Sequence, residues 1–372
     1  MTSIYLDYNA STPIDPSVAA VMRPLLEDGY GNPSAQYRAG SVARAAVEGG
    51  RAQVASLLGC STEEVVFTSG GSEASNLAIK GLFFRHFGRT VHIVTSQIEH
   101  PAVLEPCRFA ERFGAKVTYV KVDGTGLVDP DDVRRAIRPN TILISIMHAN
   151  NEVGTIQPIA AIAAIARAAR IPLHTDAAQS VGKVGTNVAE LGVDLLSVAG
   201  HKFYAPKGVG ALYVRRGLEL EPLIHGAGQE SHRRAGTESA LLAAALGRAS
   251  EVAGEWLGKP GVERVRDLFW ARLQAAFGDR VVLNGHPVRR LPNTLNVSFI
   301  GQIGSELLGT LPEIAASTGS ACHAGGVEPS PVLQAMGVPL EVSTGAIRFS
   351  VGRSTTEAEI EEVVRQLRRV IQ

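Results

Sequence analysis

The sequence predicts an α/β protein with a mainly parallel sheet and a second, smaller α+β unit. Three observations carry this. From about residue 60 to 215, short β-rich runs alternate with longer stretches of helical period, the pattern of crossover units on a parallel sheet. The chain has 372 residues, about two and a half times the ~150 of an average domain. Hydrophobic residues make up 45% and charged residues 19%, the balance of a chain that buries a large core.

Seven short apolar or β-branched runs read as the strands of the main sheet: Val65–Thr68, His92–Thr95, Lys116–Val120, Ile142–Met147, Leu173–Thr175, Leu195–Val198 and Gly210–Val214. Between them, Ser72–Phe87, Pro101–Phe113, Pro130–Ala136 and Ile159–Ala169 have helical spacing. Ala240–Trp256 reads as a long helix, and Gly258-Lys-Pro-Gly261 after it is the densest breaker cluster, so the large unit is expected over 12–257. Arg280–Asn284, Thr294–Phe299 and Ala346–Val351 read as strands of the smaller unit, closed by a helix over Thr356–Val370. That unit is expected to comprise 258–372 together with residues 1–11, which dock on it.

Composition excludes several classes. Thirty-six Lys plus Arg balance thirty-six Asp plus Glu, so the formal net charge is zero and no nucleic-acid partner is expected. Three cysteines, Cys60, Cys107 and Cys322, form no CxxC pair, which argues against a disulfide framework and against a metal cluster. The start, Met1-Thr-Ser-Ile-Tyr-Leu-Asp-Tyr, lacks a basic region followed by an apolar stretch, so a cytoplasmic, reducing location is expected. The longest apolar run, Ile159–Ala169, is too short to span the ~30 Å of a bilayer core, and no membrane contact is expected.

Three motifs carry chemistry. Ser197-Val-Ala-Gly-His-Lys-Phe-Tyr-Ala-Pro-Lys-Gly-Val-Gly210 places Lys202 just beyond a buried strand, where desolvation lowers an amine's pKa and frees it to condense with an aldehyde. A lysine after a strand is most often a solvated surface residue, the reading that suits Lys207. In Leu173-His-Thr-Asp-Ala-Ala-Gln179 a strand carries Asp176 out at its end. It could cap the next helix, or pair with a pyridinium nitrogen and keep it protonated. Thr68-Ser-Gly-Gly-Ser-Glu-Ala-Ser-Asn76 follows a strand and opens a helix, offering Ser72 and backbone N–H groups to a phosphate. It is neither a Walker loop nor a dinucleotide fingerprint, which disfavours an NTPase or a dehydrogenase.

With these residues, and from Tyr5-Leu-Asp-Tyr-Asn9 to the final helix, the chain resembles the pyridoxal-phosphate-dependent cysteine desulfurases of the class V aminotransferase fold. The resemblance implies fold type I and a homodimer. It also implies conversion of L-cysteine to L-alanine, with sulfur passing to an enzyme cysteine as a persulfide and on to an acceptor protein that the sequence does not identify, in a family of the kind that feeds iron–sulfur cluster assembly.

By the same resemblance Lys202 forms the Schiff base with pyridoxal 5'-phosphate. His100, in Ser96-Gln-Ile-Glu-His-Pro-Ala-Val103, stacks on the cofactor ring and moves protons. Asn151, in Met147-His-Ala-Asn-Asn-Glu-Val-Gly154, meets the ring oxygen with Gln179 nearby, and Asp176 meets the ring nitrogen. Gly71, Ser72 and His201 hold the phosphate, and Thr237 reaches in from a second subunit. Ala199 departs from the family, where a Ser or Thr commonly bonds the phosphate. Cys322, in Ala316-Ser-Thr-Gly-Ser-Ala-Cys322-His-Ala-Gly-Gly-Val-Glu-Pro-Ser330, matches the loop cysteine that attacks substrate sulfur. Arg348 suits the substrate α-carboxylate, and Asn32 is a further candidate for the substrate pocket. Cys60 and Cys107 read as packing residues, and Arg353 reads equally well as a surface residue. Selenocysteine lyase, acting on L-selenocysteine, shares these motifs, and an aminotransferase or β-lyase in which Cys322 is incidental is a more distant alternative.

Overall fold

The computed structural model describes residues 3–319, 322–323, 326–327 and 330–371. Its main sheet has seven strands in the order Val65–Thr68, Gly210–Val214, Leu195–Ala199, Leu173–Asp176, Thr141–Ser145, His92–Ser96 and Lys116–Val120. Gly210–Val214 runs antiparallel to both neighbours, and the remaining pairs are parallel. The fold is therefore the expected α/β one, with a mainly parallel seven-stranded sheet.

Alternation along the strands explains why this sheet is covered on both faces. Val65 and Phe67, Val94, Ile144 and Leu196 enter one hydrophobic core. Their neighbours Val66, Ile93, Leu143 and Leu195 enter another. Successive side chains of a strand point to opposite faces, so a run that is apolar at every position demands helices on each side. Ile159–Ala169 and Ala240–Trp256 cover the first face, and Gly71–Arg85 with Pro101–Arg112 cover the second. A helix that the strand pattern did not pick out, Arg38–Leu58, packs very closely on Ala240–Trp256. A Cβ on Gly50 would lie 2.2 Å from the Ala243 carbonyl oxygen, so only glycine admits this crossing.

Most element boundaries lie within one residue of the sequence reading, and two differ by two residues. The strand expected to reach Met147 stops at Ser145, because the Met147 N–H leaves the ladder and donates to Glu99 Oε1 at 3.0 Å. The helix expected over Ser72–Phe87 ends at Arg85, where the His86 N–H closes on Phe83 O.

A separate antiparallel sheet, Ala346–Ser350, Thr294–Phe299 and Val281–Asn284, packs with the helices Gly261–Phe277 and Glu357–Val370 around its own core. Thr356 and Glu359 form a reciprocal capping box that starts the last helix. The N-terminal strand Ile4–Tyr5 pairs in parallel with Ile314–Ala315, and Asp7 bridges to Ser350. No helix among the described residues is long and apolar enough to cross a membrane.

Candidate active site

In an open α/β sheet, ligands bind beyond the carboxyl ends of the parallel strands, and the candidate residues gather there. Asp176 ends its strand, and Lys202 follows Leu195–Ala199 by one short turn. His100 follows His92–Ser96 and caps the helix Pro101–Arg112, its Nδ1 accepting the Ala102 N–H at 3.0 Å. Gly71 opens the helix after Val65–Thr68, preceded by Gly70 at φ 151°, a conformation that favours glycine. Together with Ser72, Asn151, Gln179, Ala199, His201 and Arg348 they line one cavity of about 280 Å³.

The charges in this cavity are mutually tuned. Burial pushes the Lys202 amine down from 10.5 to about 8, aided by the positive charge of Arg348 and opposed by Asp176 and Asp7. Its Nζ donates to the carbonyl oxygens of Asn9 at 2.7 Å and Ala10 at 2.9 Å, so the amine is aimed and needs no proton to stay in place. Burial raises the Asp176 carboxyl, while the Ala178 N–H, 2.9 Å from Oδ1, together with His100 and Lys202 favours its ionised form. His100 is open on its pocket side. The protein around the ring nevertheless lowers its pKa, with Asp176 opposing and Lys202 assisting. His201 is lowered to about 4 by burial and the neighbouring lysines, and its buried Nδ1 has no hydrogen-bond partner among the described residues.

Arg348 is 8% exposed and is fixed at both ends of its fork, to Asp7 Oδ1 at 2.6 Å and Asn151 O at 3.0 Å. Asn150 shapes that loop by accepting the N–H groups of Glu152 and Val153 on its Oδ1. Glu152 is half-buried, and desolvation raises its carboxyl. It accepts the Ser330 hydroxyl, and a Cβ on Gly319 would lie 2.2 Å from its Oε2. The two described positions that flank the Cys322 segment thus both rest on one side chain. Cys322 itself enters only through its backbone, in an antiparallel pairing of Cys322–His323 with Gly326–Val327. Its side chain lies outside the described residues.

Two candidates are not among the walls of this cavity. Asn32 sits in the loop after the first helix, where its Oδ1 accepts the Ser34 N–H at 2.9 Å, and it lines a different cavity with Arg51 and His232. Thr237 lines a third cavity with Arg234 and Glu238. Sequence reasoning also passed over two residues the site depends on. Asn9 accepts Lys202 and the Gln179 Nε2, the latter at 2.9 Å, on its carbonyl, and its Oδ1 accepts Lys183 at 3.1 Å. Lys183 also donates to Gln179 Oε1 at 2.8 Å, and burial drives its pKa far down. Its only sequence signal was its place one turn beyond Gln179.

A helix N-terminus, a buried acid and a half-buried amine gathered at the carboxyl ends of one α/β sheet match the architecture of fold type I enzymes. The aminotransferase class-V family model matches residues 4–363, and the chain belongs to that family, which is pyridoxal-phosphate-dependent. It is 47% identical to the cysteine desulfurase IscS of Dictyoglomus turgidum, over 99% of this chain and 94% of that protein. It is 44% identical to that of Methanosarcina thermophila, over 100% and 92%. Among solved structures, a NifS-like protein superposes with a TM-score of 0.93 at 35% identity, over 100% of this chain and 99% of the other. SspA in complex with cysteine superposes with a TM-score of 0.84 at 40% identity, over 94% and 99%.

Proposed function

We propose that the protein is a pyridoxal-phosphate-dependent cysteine desulfurase that converts L-cysteine to L-alanine and passes the sulfur through a Cys322 persulfide to an acceptor protein. The observation that carries this is the convergence of Lys202, Asp176, His100 and Arg348 on one cavity, in a chain whose full-length relatives are cysteine desulfurases.

The donor set fits the cofactor. Asp176 is buried with a single N–H donor from Ala178, a shortfall that a protonated ring nitrogen would fill. The partnerless His201 Nδ1, Ser72 and the free N–H groups that open a 15-residue helix suit a phosphate. Gln179 and Asn151 remain for the ring oxygen. When bound, the cofactor supplies an electron sink for charge that develops at the substrate α-carbon.

The chain's own residues do the rest. Arg348, held at two points, presents a guanidinium to the substrate carboxylate. Lys202, with its lowered pKa, takes the α-proton as a neutral amine. His100 faces the same cavity, and its lowered pKa keeps the imidazole available to accept the substrate thiol proton near neutrality. The Cys322 thiolate forms an S–S bond with substrate sulfur as the Cβ–S bond breaks. The electron pair of that bond stays with carbon, which is protonated to give alanine. Cys60 and Cys107 are poor rivals, because burial pushes the first up to about 12 and the second higher still.

The same reading takes 12–257 as the cofactor-binding unit, and 1–11 with 258–372 as the smaller one. It takes the protein as a homodimer with Thr237 facing the partner's site, and the acceptor as one of iron–sulfur cluster assembly. The test measures alanine and sulfide from L-cysteine in the presence of a dithiol, with L-selenocysteine in parallel. Cys322→Ser should lose at least 100-fold in sulfide while the cofactor absorbance persists. Undiminished sulfide from that variant would overturn the persulfide route, and background cysteine turnover beside fast selenocysteine turnover would make the protein a selenocysteine lyase.

A further inference from the structure

Behind Lys202 lies a second cavity of about 410 Å³, larger than the one that takes the cofactor. Lys202 lines both, and Lys183, which bonds Gln179 and Asn9 beside the first, lines the second. Tyr8, Phe203, Trp256, Val262, Pro292 and Val351 give it apolar walls.

Its charges are unbalanced. The Arg353 guanidinium lies 4.2 Å from the Tyr204 ring centroid and 5.1 Å from that of Trp256. Both of its terminal nitrogens are buried without a hydrogen-bond partner among the described residues. Arg353 Nη1 pairs with Asp15 Oδ2 at 3.6 Å, longer than a hydrogen bond, while the Asp15 Oδ1 is engaged by the Ser17 N–H and hydroxyl. Arg290, 6% exposed, has no partner for its Nε among the described residues, and its Nη2 donates to the Val153 carbonyl at 3.3 Å. Lys183 meets amide oxygens. Of the acids nearby, Glu263 and Asp267 are bonded to Arg266, and Glu255 acts on Arg353 only at a distance. Buried cations without a hydrogen-bonded carboxylate leave part of their desolvation uncompensated, and a guanidinium is the side chain best shaped to take a carboxylate in two parallel bonds.

We propose that this cavity is a binding site for a small organic anion of the aromatic carboxylate class, with its acid on Arg353 and its ring against the aromatic walls. The site is separate from the substrate carboxylate site at Arg348 and rests on no step of the proposed reaction. A bound anion lies on the far side of Lys202 and Lys183 from the cofactor cavity and favours the protonated form of both amines, which makes the ligand an effector.

The test is calorimetric titration of the cofactor-loaded protein with indole-3-acetate, with its neutral isostere indole-3-acetamide, and with the acid again in saturating L-alanine. The acid should bind saturably at one site per chain, at least tenfold tighter than the amide and without displacement by alanine. Arg353→Gln should weaken it at least tenfold. Arg353→Lys, which keeps the charge and loses the fork, should fall between and serves if the Gln variant does not fold. Equal affinity for acid and amide, displacement by alanine, or unchanged binding in both variants would overturn the site.

Discussion

The amine of Lys202 sets a measurable pH scale for the protein. With its pKa at about 8, about 10% of the amine is neutral at pH 7, against about 0.03% for an ordinary lysine at 10.5, a gain of roughly 300-fold in the reactive form. Capture of pyridoxal phosphate by the apoprotein should therefore rise with pH to a midpoint near 8. Arg348→Gln removes the positive charge that helps hold the amine down, and also frees Asp7, whose charge pulls the amine up. The midpoint should then move upward, with capture at pH 7 slowed about tenfold for each pH unit of movement. Stopped-flow absorbance between pH 6 and 10, fitted at each pH to a second-order rate, reads this directly. A wild-type midpoint at or above 10, or a downward movement in Arg348→Gln, would refute the assignment of burial and Arg348 as its causes.

Three further outcomes follow. Ala199→Ser, which places a hydroxyl beside Gly71 at the helix start proposed to hold the phosphate, should slow cofactor release by about tenfold if it adds a charge-assisted hydrogen bond of ~1.4 kcal/mol; equal release rates would sink the idea. Glu99 is buried, raised to about 8, and has an unpartnered Oε2. A raised carboxyl contributes stability that is complete at acid pH and lost as pH climbs through its folded value. Thermal melts of Glu99→Gln should match wild type near pH 5 and exceed it by a few °C above pH 8, and parallel curves across that range would contradict this. Gly319→Val forces a side chain onto the Glu152 carboxylate. Sulfide release should fall at least tenfold while cofactor content and its spectrum stay as in wild type, and a proportionate loss of bound cofactor would show a general folding defect instead.

Much of the fold was legible because it is written locally. The alternation of β-rich runs with helical stretches announced a mainly parallel sheet between helices, Lys202 and Asp176 stood out at the ends of such strands, and His100 was marked by the resemblance of its motif to the family. The element boundaries depended on a few backbone donors, such as the Met147 N–H diverted to Glu99, whose destination no local pattern encodes. Asn9 was passed over for a similar reason. An asparagine in a polar turn has no visible role until Lys202, Gln179 and Lys183 are brought to it from 170 to 193 residues away. Asn32 shows the converse, an asparagine in a suggestive Gly-Asn-Pro turn that spends its side chain on the turn itself.

Asn9 also fixes when the site can exist during synthesis. It is among the first residues to leave the ribosome, yet its N–H donates to Ser350 Oγ and its side chain to Thr294, while its carbonyl waits for Lys202. A nascent chain that has completed the main sheet but not the strand Ala346–Ser350 holds Asn9 only from the large-unit side, through Gln179, Lys183 and Asn151, and lacks the Ser350 contact that fixes its backbone N–H. Such separated contacts close late in folding. The full set of contacts that aims Lys202 therefore joins the chain's first ten residues to its last thirty, and it is completed later than the strand that carries the lysine.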